Sequence, residues 1–221
     1  RANTYYLTKH IYEQVFLHLV KSAYKKGFIK GIFVAMDSSF VKTFSKKQEV
    51  GSEGWNGFKD AFGFKLHLLI DCETKFPIAL CITNGNASDN TLAIPLLKQA
   101  KKWLKKHGYV VADKGYDDGK IVNWVVKELE SKAGIPIKKT TRGKNYSWEG
   151  AWRNFQLKAK GRTLKKSIYN RRTAIERVFS ALKRTYYLGH EETRGITNFF
   201  KNVYLTLICY CLSLFYIAKS N

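Results

Sequence analysis

Three acidic side chains stand where chemistry could be done. Asp37 closes the apolar run GIFVAMDSS, Asp113 closes the apolar part of YVVADKGYDD, and Glu176 lies inside YNRRTAIERVFSALKR. Each aspartate ends a short segment with the composition of a buried strand, and the glutamate falls in an amphipathic helical pattern, so three distant segments can converge on one point. Carboxylates gathered in this way suit a hard divalent cation: magnesium takes oxygen ligands in octahedral geometry, usually one or two carboxylates with water and phosphate oxygens. Two such ions can clamp the attacking and leaving oxygens of a phosphodiester.

The chain has 17 acidic residues, and an aspartate at a strand end more often serves as a turn or cap residue. The neighbours of Glu176 sharpen the pattern. Tyr169, Arg172, Glu176 and Lys183 lie at offsets 0, 3, 7 and 14; at about 100° per residue they share a helical stripe roughly 60° wide. Ile168, Ile175, Phe179 and Leu182 form an adjoining apolar stripe that would anchor the helix on a sheet, and Arg177 and Arg184 flank the glutamate on its other side. A surface helix with an Arg–Glu pair four residues apart, worth a few tenths of a kcal/mol, has the same pattern when the helix is taken alone.

The spacing Tyr169, Arg172, Glu176, Lys183 resembles the Y-R-E-K motif of DDE-type transposases of bacterial and archaeal insertion sequences. The resemblance extends to the strand ending in Asp37, to GFKLHLLID at 63–71 and to ADKGYDD at 112–118, and so covers most of residues 30–210. It implies a ribonuclease H-like catalytic domain with Asp37, Asp113 and Glu176 as catalytic, metal-holding triad, two Mg2+ ions with Mn2+ as substitute, and DNA as substrate. In that chemistry water attacks the phosphodiester at a transposon end and the freed 3′-hydroxyl attacks target DNA, while Tyr169, Arg172, Lys183, Arg177 and Lys65 bind the DNA. It further implies a dimer or larger assembly on DNA. A histidine common in the loop after the third strand is replaced here by Asn86-Ala87-Ser88-Asp89. About thirty residues precede the first catalytic strand, where a DNA-end-binding region usually lies, so a fragment or a short specificity domain is expected. A ribonuclease H-like nuclease that hydrolyses without joining, and a non-catalytic DNA-binding remnant, are the alternatives.

The charge agrees with a polyanionic partner. With 39 Lys and Arg against 17 acidic residues, the net charge is +22, and a field of that strength attracts polyanions in a salt-dependent manner. Lys138 to Arg184 holds fifteen basic residues against Glu149 and Glu176 alone. Tyr146, Trp148, Trp152 and Phe155 interleave with these cations; they suit stacking on unpaired bases or, more commonly, packing of a small subdomain.

The elements that must position these groups follow from periodicity. GIFVAMDS, DAFGFKLHLLID and FPIALCIT read as strands, the last two joined by a turn from Asp71 to Phe76. TLAIPLLKQAKKWLKKHG reads as a helix after a cap at Asp89-Asn90, YVVAD as a fourth strand, IVNWVVKELESK as a helix capped by Asp117 or Asp118, and IPIKKT as a fifth strand. The result is an α/β fold, a ribonuclease H-like mixed five-stranded sheet flanked by helices, in which the first and fourth strands are central neighbours and Asp37 lies beside Asp113. We read residues 1–30 as an N-terminal helical segment with Tyr5, Tyr12, Phe16 and Leu19 on one face, and 31–221 as the catalytic domain, with a basic insertion at 138–166. The apolar stretch 203–218 has sixteen residues against the roughly 20 needed to cross a bilayer and reads as a core helix; no membrane partner is expected. Cys72, Cys81, Cys209 and Cys211 lack zinc spacing and suit a reducing cytoplasm. His67 and Lys65 share one face of an alternating strand, Asp71 reads as a turn residue, and Gly115 permits a close approach behind Asp113.

Overall fold

The computed structural model describes residues 2–43, 54–137, 166–189 and 195–220. The basic insertion with its four aromatics thus lies outside the described residues from 138 to 165, as does the side chain of Tyr5.

The sheet is organised around β1 (Phe33–Lys42) and β3 (Ala61–Asp71), the two longest strands. Both are apolar enough to be buried at their centres: Val34, Ala35 and Met36 on β1 and Leu66 to Ile70 on β3 are closed to solvent. They pair antiparallel from Val34↔Asp71 to Lys42↔Gly63, which sets Asp37 opposite Leu68, Ser38 opposite His67, and Phe40 opposite Lys65. Strand β4 (Pro77–Asn84) and the short β2 (Gly54–Asn56) both pair with β3 on its outer edge. On the other side of β1 lie β5 (Tyr109–Val111) and then β6 (Lys132–Gly134), both parallel. The mixed sheet therefore has six strands, and the expected α/β class holds, with the first and fourth expected strands as central neighbours. The expected count of five missed β2. Of IPIKKT, residues 135–137 form no strand and 138–140 lie outside the described residues; the place next to β5 is taken by Lys132–Gly134, because the preceding helix stops earlier than its periodicity suggests.

Helices cover both faces. On one side are α2 (Asp89–Ala100) and α3 (Gly119–Glu128). The first is shorter than expected: after Ala100 a single 3-10 turn, Lys101–Trp103, gives way to extended chain rather than carrying the helix to Gly108. Asp118 caps α3 by accepting from the Lys120 N–H at 2.7 Å. On the other side are α5 (Thr173–Arg184) and α6 (Gly195–Ser220), with α1 (Ala2–Lys25) packed on α6 through Phe16 and Tyr204. Two short turns, α4 (Lys166–Tyr169) and a 3-10 turn at Asn170–Arg172, lead into α5, so the expected continuous helix from Tyr169 to Lys183 is broken. Helix α6 has 26 residues, longer than the sixteen-residue apolar run, and is by length and composition long enough to cross a membrane. One face buries Val203, Leu207 and Cys211, while Leu212, Tyr216 and Ile217 are exposed.

Asp71 locks the sheet at the beginning of β1. Its buried carboxylate accepts the N–H groups of Lys30 and Gly31 at 2.9 and 2.8 Å, and those of Glu73 and Thr74 at 2.9 and 3.1 Å. It closes the β3–β4 turn as expected and also fixes the entry to β1. Gly31 has φ +66°, and an added Cβ would meet the Trp103 carbonyl at 2.2 Å, so the entry requires glycine twice over.

Candidate active site

Asp37 lies in the middle of β1, its side chain on the face that carries α5 and α6. The Ser38 N–H donates to its Oδ1 at 2.8 Å. Parallel pairing of β1 with β5 runs to Ala35↔Val111, and continuing that register by two residues sets Asp113 against Asp37. Asp113 stops the strand and turns the chain: its carboxylate accepts from the Gly115 N–H. A Cβ on Gly115 would come within 2.6 Å of that carboxylate, so the close approach behind Asp113 serves the turn.

The third carboxylate arrives from α5. One terminal nitrogen of Arg172 donates to Glu176, one turn further along the helix, and the other lies 3.5 Å from Asp37 Oδ2. Arg172 is also stacked near the Tyr169 ring, 5.6 Å from its centroid. Burial works against the Arg172 charge, but Tyr169, Glu176 and Asp37 outweigh it and raise its pKa. The structure thus joins Asp37, Tyr169, Arg172 and Glu176 directly, with Asp113 alongside. Lys183 lies farther along: its ammonium donates to the Phe40 carbonyl at 2.9 Å, and burial, helped by the nearby Lys59, lowers its pKa. Arg177 is exposed on α5.

Lys65 and His67 do share a face, and it is the opposite one. Successive strand residues point to opposite sides, and cross-strand pairing with Phe40 and Ser38 turns Lys65 and His67 toward α2. There they meet Asp89, which sequence reasoning took for a cap. Its Oδ1 accepts from Ser38 Oγ at 2.8 Å and from Lys65 Nζ at 3.1 Å, and lies 3.8 Å from His67 Nδ1. Lys65 also donates to the Ala87 carbonyl at 2.7 Å, and His67 Nε2 pairs with Thr83 Oγ1 at 2.8 Å. Ser38 therefore bridges two carboxylates, its N–H on Asp37 and its hydroxyl on Asp89. Tyr116, buried from the turn after Asp113, completes this layer: burial raises its pKa well above the phenol range, reinforced by Asp37, Asp89 and Asp113. The signal for Asp89 was present in GFKLHLLID, where two basic side chains on one buried face call for an acid.

Asp37 has its pKa pushed up to about 6: burial is the largest cause, the Ser38 N–H opposes it, Asp113 adds repulsion, Arg172 relieves part of it, and Asp89 adds more. A half-buried carboxylate facing a second one, its repulsion relieved only in part by Arg172, is an environment that a hard divalent cation suits. The donor set fits such an ion at Asp37 and Asp113. Glu176 is engaged by Arg172, and among the described residues no three acidic, His or Cys side chains already form a metal cage.

The family model described as the transposase DDE domain matches residues 30–212. The chain belongs to the transposase DDE domain family. The match takes in Asp37, Asp113, Glu176 and all of the β-sheet. A search of curated protein sequences finds no match. Among solved structures the chain is similar to a piggyBac transposase synaptic complex with hairpin DNA, at 14% identity and a TM-score of 0.40, over 53% of this chain and 27% of that one. It is similar to the catalytic domain of Mos1 mariner transposase at 9% identity and a TM-score of 0.34, over 88% and 97% of the two chains. It is also similar to the Mos1 paired-end complex with left transposon end at 11% identity and a TM-score of 0.32, over 79% and 60%.

Proposed function

We propose that this chain carries the catalytic centre of an insertion-sequence transposase of the Y-R-E-K group, cutting DNA at the element's ends and joining the freed 3′-hydroxyl to target DNA. The observation that supports this most is that Arg172 reaches both Glu176 and Asp37, the latter 135 residues earlier in the chain, with Asp113 beside them.

In this reading Asp37 and Asp113 hold magnesium, with Glu176 completing a second site. When bound, the ions supply Lewis-acid polarisation of the phosphoryl group and a nucleophile at neutral pH. The chain's own residues do the rest. Asp37, half-buried and oriented by the Ser38 N–H, gives a carboxylate of fixed direction. Arg172 binds a phosphate oxygen beside the cut once its grip on Glu176 is exchanged; its planar fork suits that role. Tyr169 positions the backbone, Lys183 and Arg177 bind flanking phosphates, and Lys65 acts from behind the strand by holding Asp89. Processing of two ends together implies at least a dimer on DNA, and the site of action is the cytoplasm.

The test is cleavage and joining of end-labelled DNA at low salt in magnesium and in manganese, with EDTA controls, for the intact chain and Glu176→Gln. Metal-dependent nicking and joining that the variant loses while still binding DNA supports the proposal. Nicking without joined products on a marked 3′ end leaves a nuclease, and equal binding with no chemistry in either protein leaves a DNA-binding remnant.

A further inference from the structure

Strand β5 leaves the edge of β1 before β1 reaches the candidate centre. The Tyr109 N–H donates to the Ile32 carbonyl at 2.7 Å, and every second residue along a strand turns its peptide groups to the same side, so Ser38 faces that edge as well. Pairing with β5 ends at Ala35↔Val111. The Ser38 N–H therefore finds no strand there and donates to Asp37 Oδ1 at 2.8 Å. A backbone N–H withdrawn from water needs an acceptor, and here the acceptor is the carboxylate of the candidate centre itself.

That peptide is fastened from the other face of the sheet. The Ser38 hydroxyl donates to Asp89 Oδ1 at 2.8 Å, and the same oxygen accepts from Lys65 Nζ at 3.1 Å, which is itself tied to the Ala87 carbonyl at 2.7 Å. One atom of Asp89 thus joins β1, β3 and the start of α2. His67, opposite Ser38 on β3 and fully buried, is left aside: its Nδ1 lies 3.8 Å from Asp89 Oδ1 and has no hydrogen-bond partner among the described residues. Buried polar atoms are nearly always paired, and an exception calls for a reason. The carboxylate stands at Ser38 and leaves His67 unsatisfied, so its position serves the grip on Ser38 before the pairing of the layer. We propose that Asp89 and Ser38 are positioning residues for Asp37: Asp89 fixes the Ser38 hydroxyl, Ser38 presents its N–H to Oδ1, and Oδ2 stays directed to the Arg172 side, where a cation would be held. The inference rests on the reading of Asp37 as a metal-holding carboxylate. Removing a group that orients a metal ligand changes metal affinity or activity by about 10- to 100-fold.

The test compares Ser38→Val with Ser38→Thr, two β-branched side chains suited to a strand, of which only the second keeps a hydroxyl. The readouts are the Mn2+ affinity of the metal-free protein by titration calorimetry and the nicking rate of end-labelled DNA at saturating protein, with urea unfolding to establish that each variant is folded. Ser38→Val should weaken Mn2+ binding by at least about tenfold and slow nicking by a similar factor, with DNA affinity in EDTA unchanged, while Ser38→Thr restores both. Asp89→Ala should weaken Mn2+ binding as Ser38→Val does, and the double variant no further, because the two side chains act through one link. Equal Mn2+ affinity in Ser38→Val and the intact chain, or an equal loss in Ser38→Val and Ser38→Thr, overturns the positioning roles and leaves the metal reading of Asp37 intact. No Mn2+ binding by the intact chain, or binding that survives Asp37→Asn, overturns the metal reading and the proposal with it.

Discussion

Arg172 stands 3.5 Å from Asp37, a residue 135 positions earlier, while its other terminal nitrogen holds Glu176. The side chains of Arg172 and Asp37 are about one-fifth exposed, so the pair is stronger than a fully solvated one and still open to exchange. The guanidinium supplies positive charge to the carboxylates, and it occupies the glutamate that the proposed second metal position would require.

A competition follows. In Arg172→Gln, Glu176 is released and should serve a cation more readily. We expect the Mn2+ affinity of the metal-free protein, read by titration calorimetry, to rise about three- to tenfold, in keeping with the loss of a half-exposed ion pair of about 1 kcal/mol, while DNA nicking falls by at least about tenfold. Arg172→Lys should lose nicking too, because one ammonium cannot fork between two carboxylates. An unchanged Mn2+ affinity in Arg172→Gln would exclude the exchange.

Asp89 gives a second test. Its carboxylate joins Ser38 on β1 to Lys65 on β3 at the first turn of α2, where a negative charge also suits the helix end. Asp89→Asn leaves the poorly exposed Lys65 ammonium with the Ala87 carbonyl alone and should cost about 1–3 kcal/mol in urea unfolding. The double variant with Lys65→Met should regain part of that loss, since the unpaired charge is then gone. Additive losses in the double variant would mean that the two side chains stabilise the fold independently.

Much of this architecture was legible in the sequence because the relevant signals are local. Asp37 and Asp113 end apolar runs, and the two runs became neighbouring central strands. The Asp71 turn and the Asp118 cap were read from residue type and place. What was missed depends on tertiary packing. Asp89 looks like any helix-capping acid until β3 brings Lys65 and His67 against it. The broken helix before Thr173 was invisible because a 3-10 turn keeps nearly the same apolar spacing as an α-turn. The strand at Lys132–Gly134 replaced IPIKKT because three residues of pairing carry too little pattern to outweigh a more apolar neighbour.

Salt dependence separates the phosphate contacts from the centre. For a chain of net charge +22, log affinity for duplex DNA should fall steeply and linearly with log salt, by about 0.9 for each neutralised phosphate. Arg177 is exposed on α5, so Arg177→Ala should reduce that slope by about 1 while changing stability little. A slope identical to that of the intact chain would remove Arg177 from the interface.

The last prediction concerns acid. His67 is fully buried, and burial, opposed by Asp89 and assisted by Lys65, lowers its pKa to about 4 from an ordinary value of 6.5. Between those values the unfolded chain binds a proton that the folded chain refuses, so the contribution of neutral His67 is fully present above pH 6.5 and is lost as pH falls toward 4. At about 1.4 kcal/mol per pKa unit the effect is on the order of 3 kcal/mol. Asp37 acts with the opposite sign: its raised pKa makes the folded chain the better proton binder from its ordinary range up to about 6, so its ionisation costs stability as pH rises through that window. The two groups sit on opposite faces of adjacent strands and should leave the intact, metal-free protein with a nearly flat stability profile from pH 4 to 6. His67→Gln removes one side of that balance, and its stability, measured by urea unfolding across the window, should rise relative to the intact chain as pH is lowered. A constant difference between the two proteins from pH 7 to 4 would show that His67 is not held neutral by the fold.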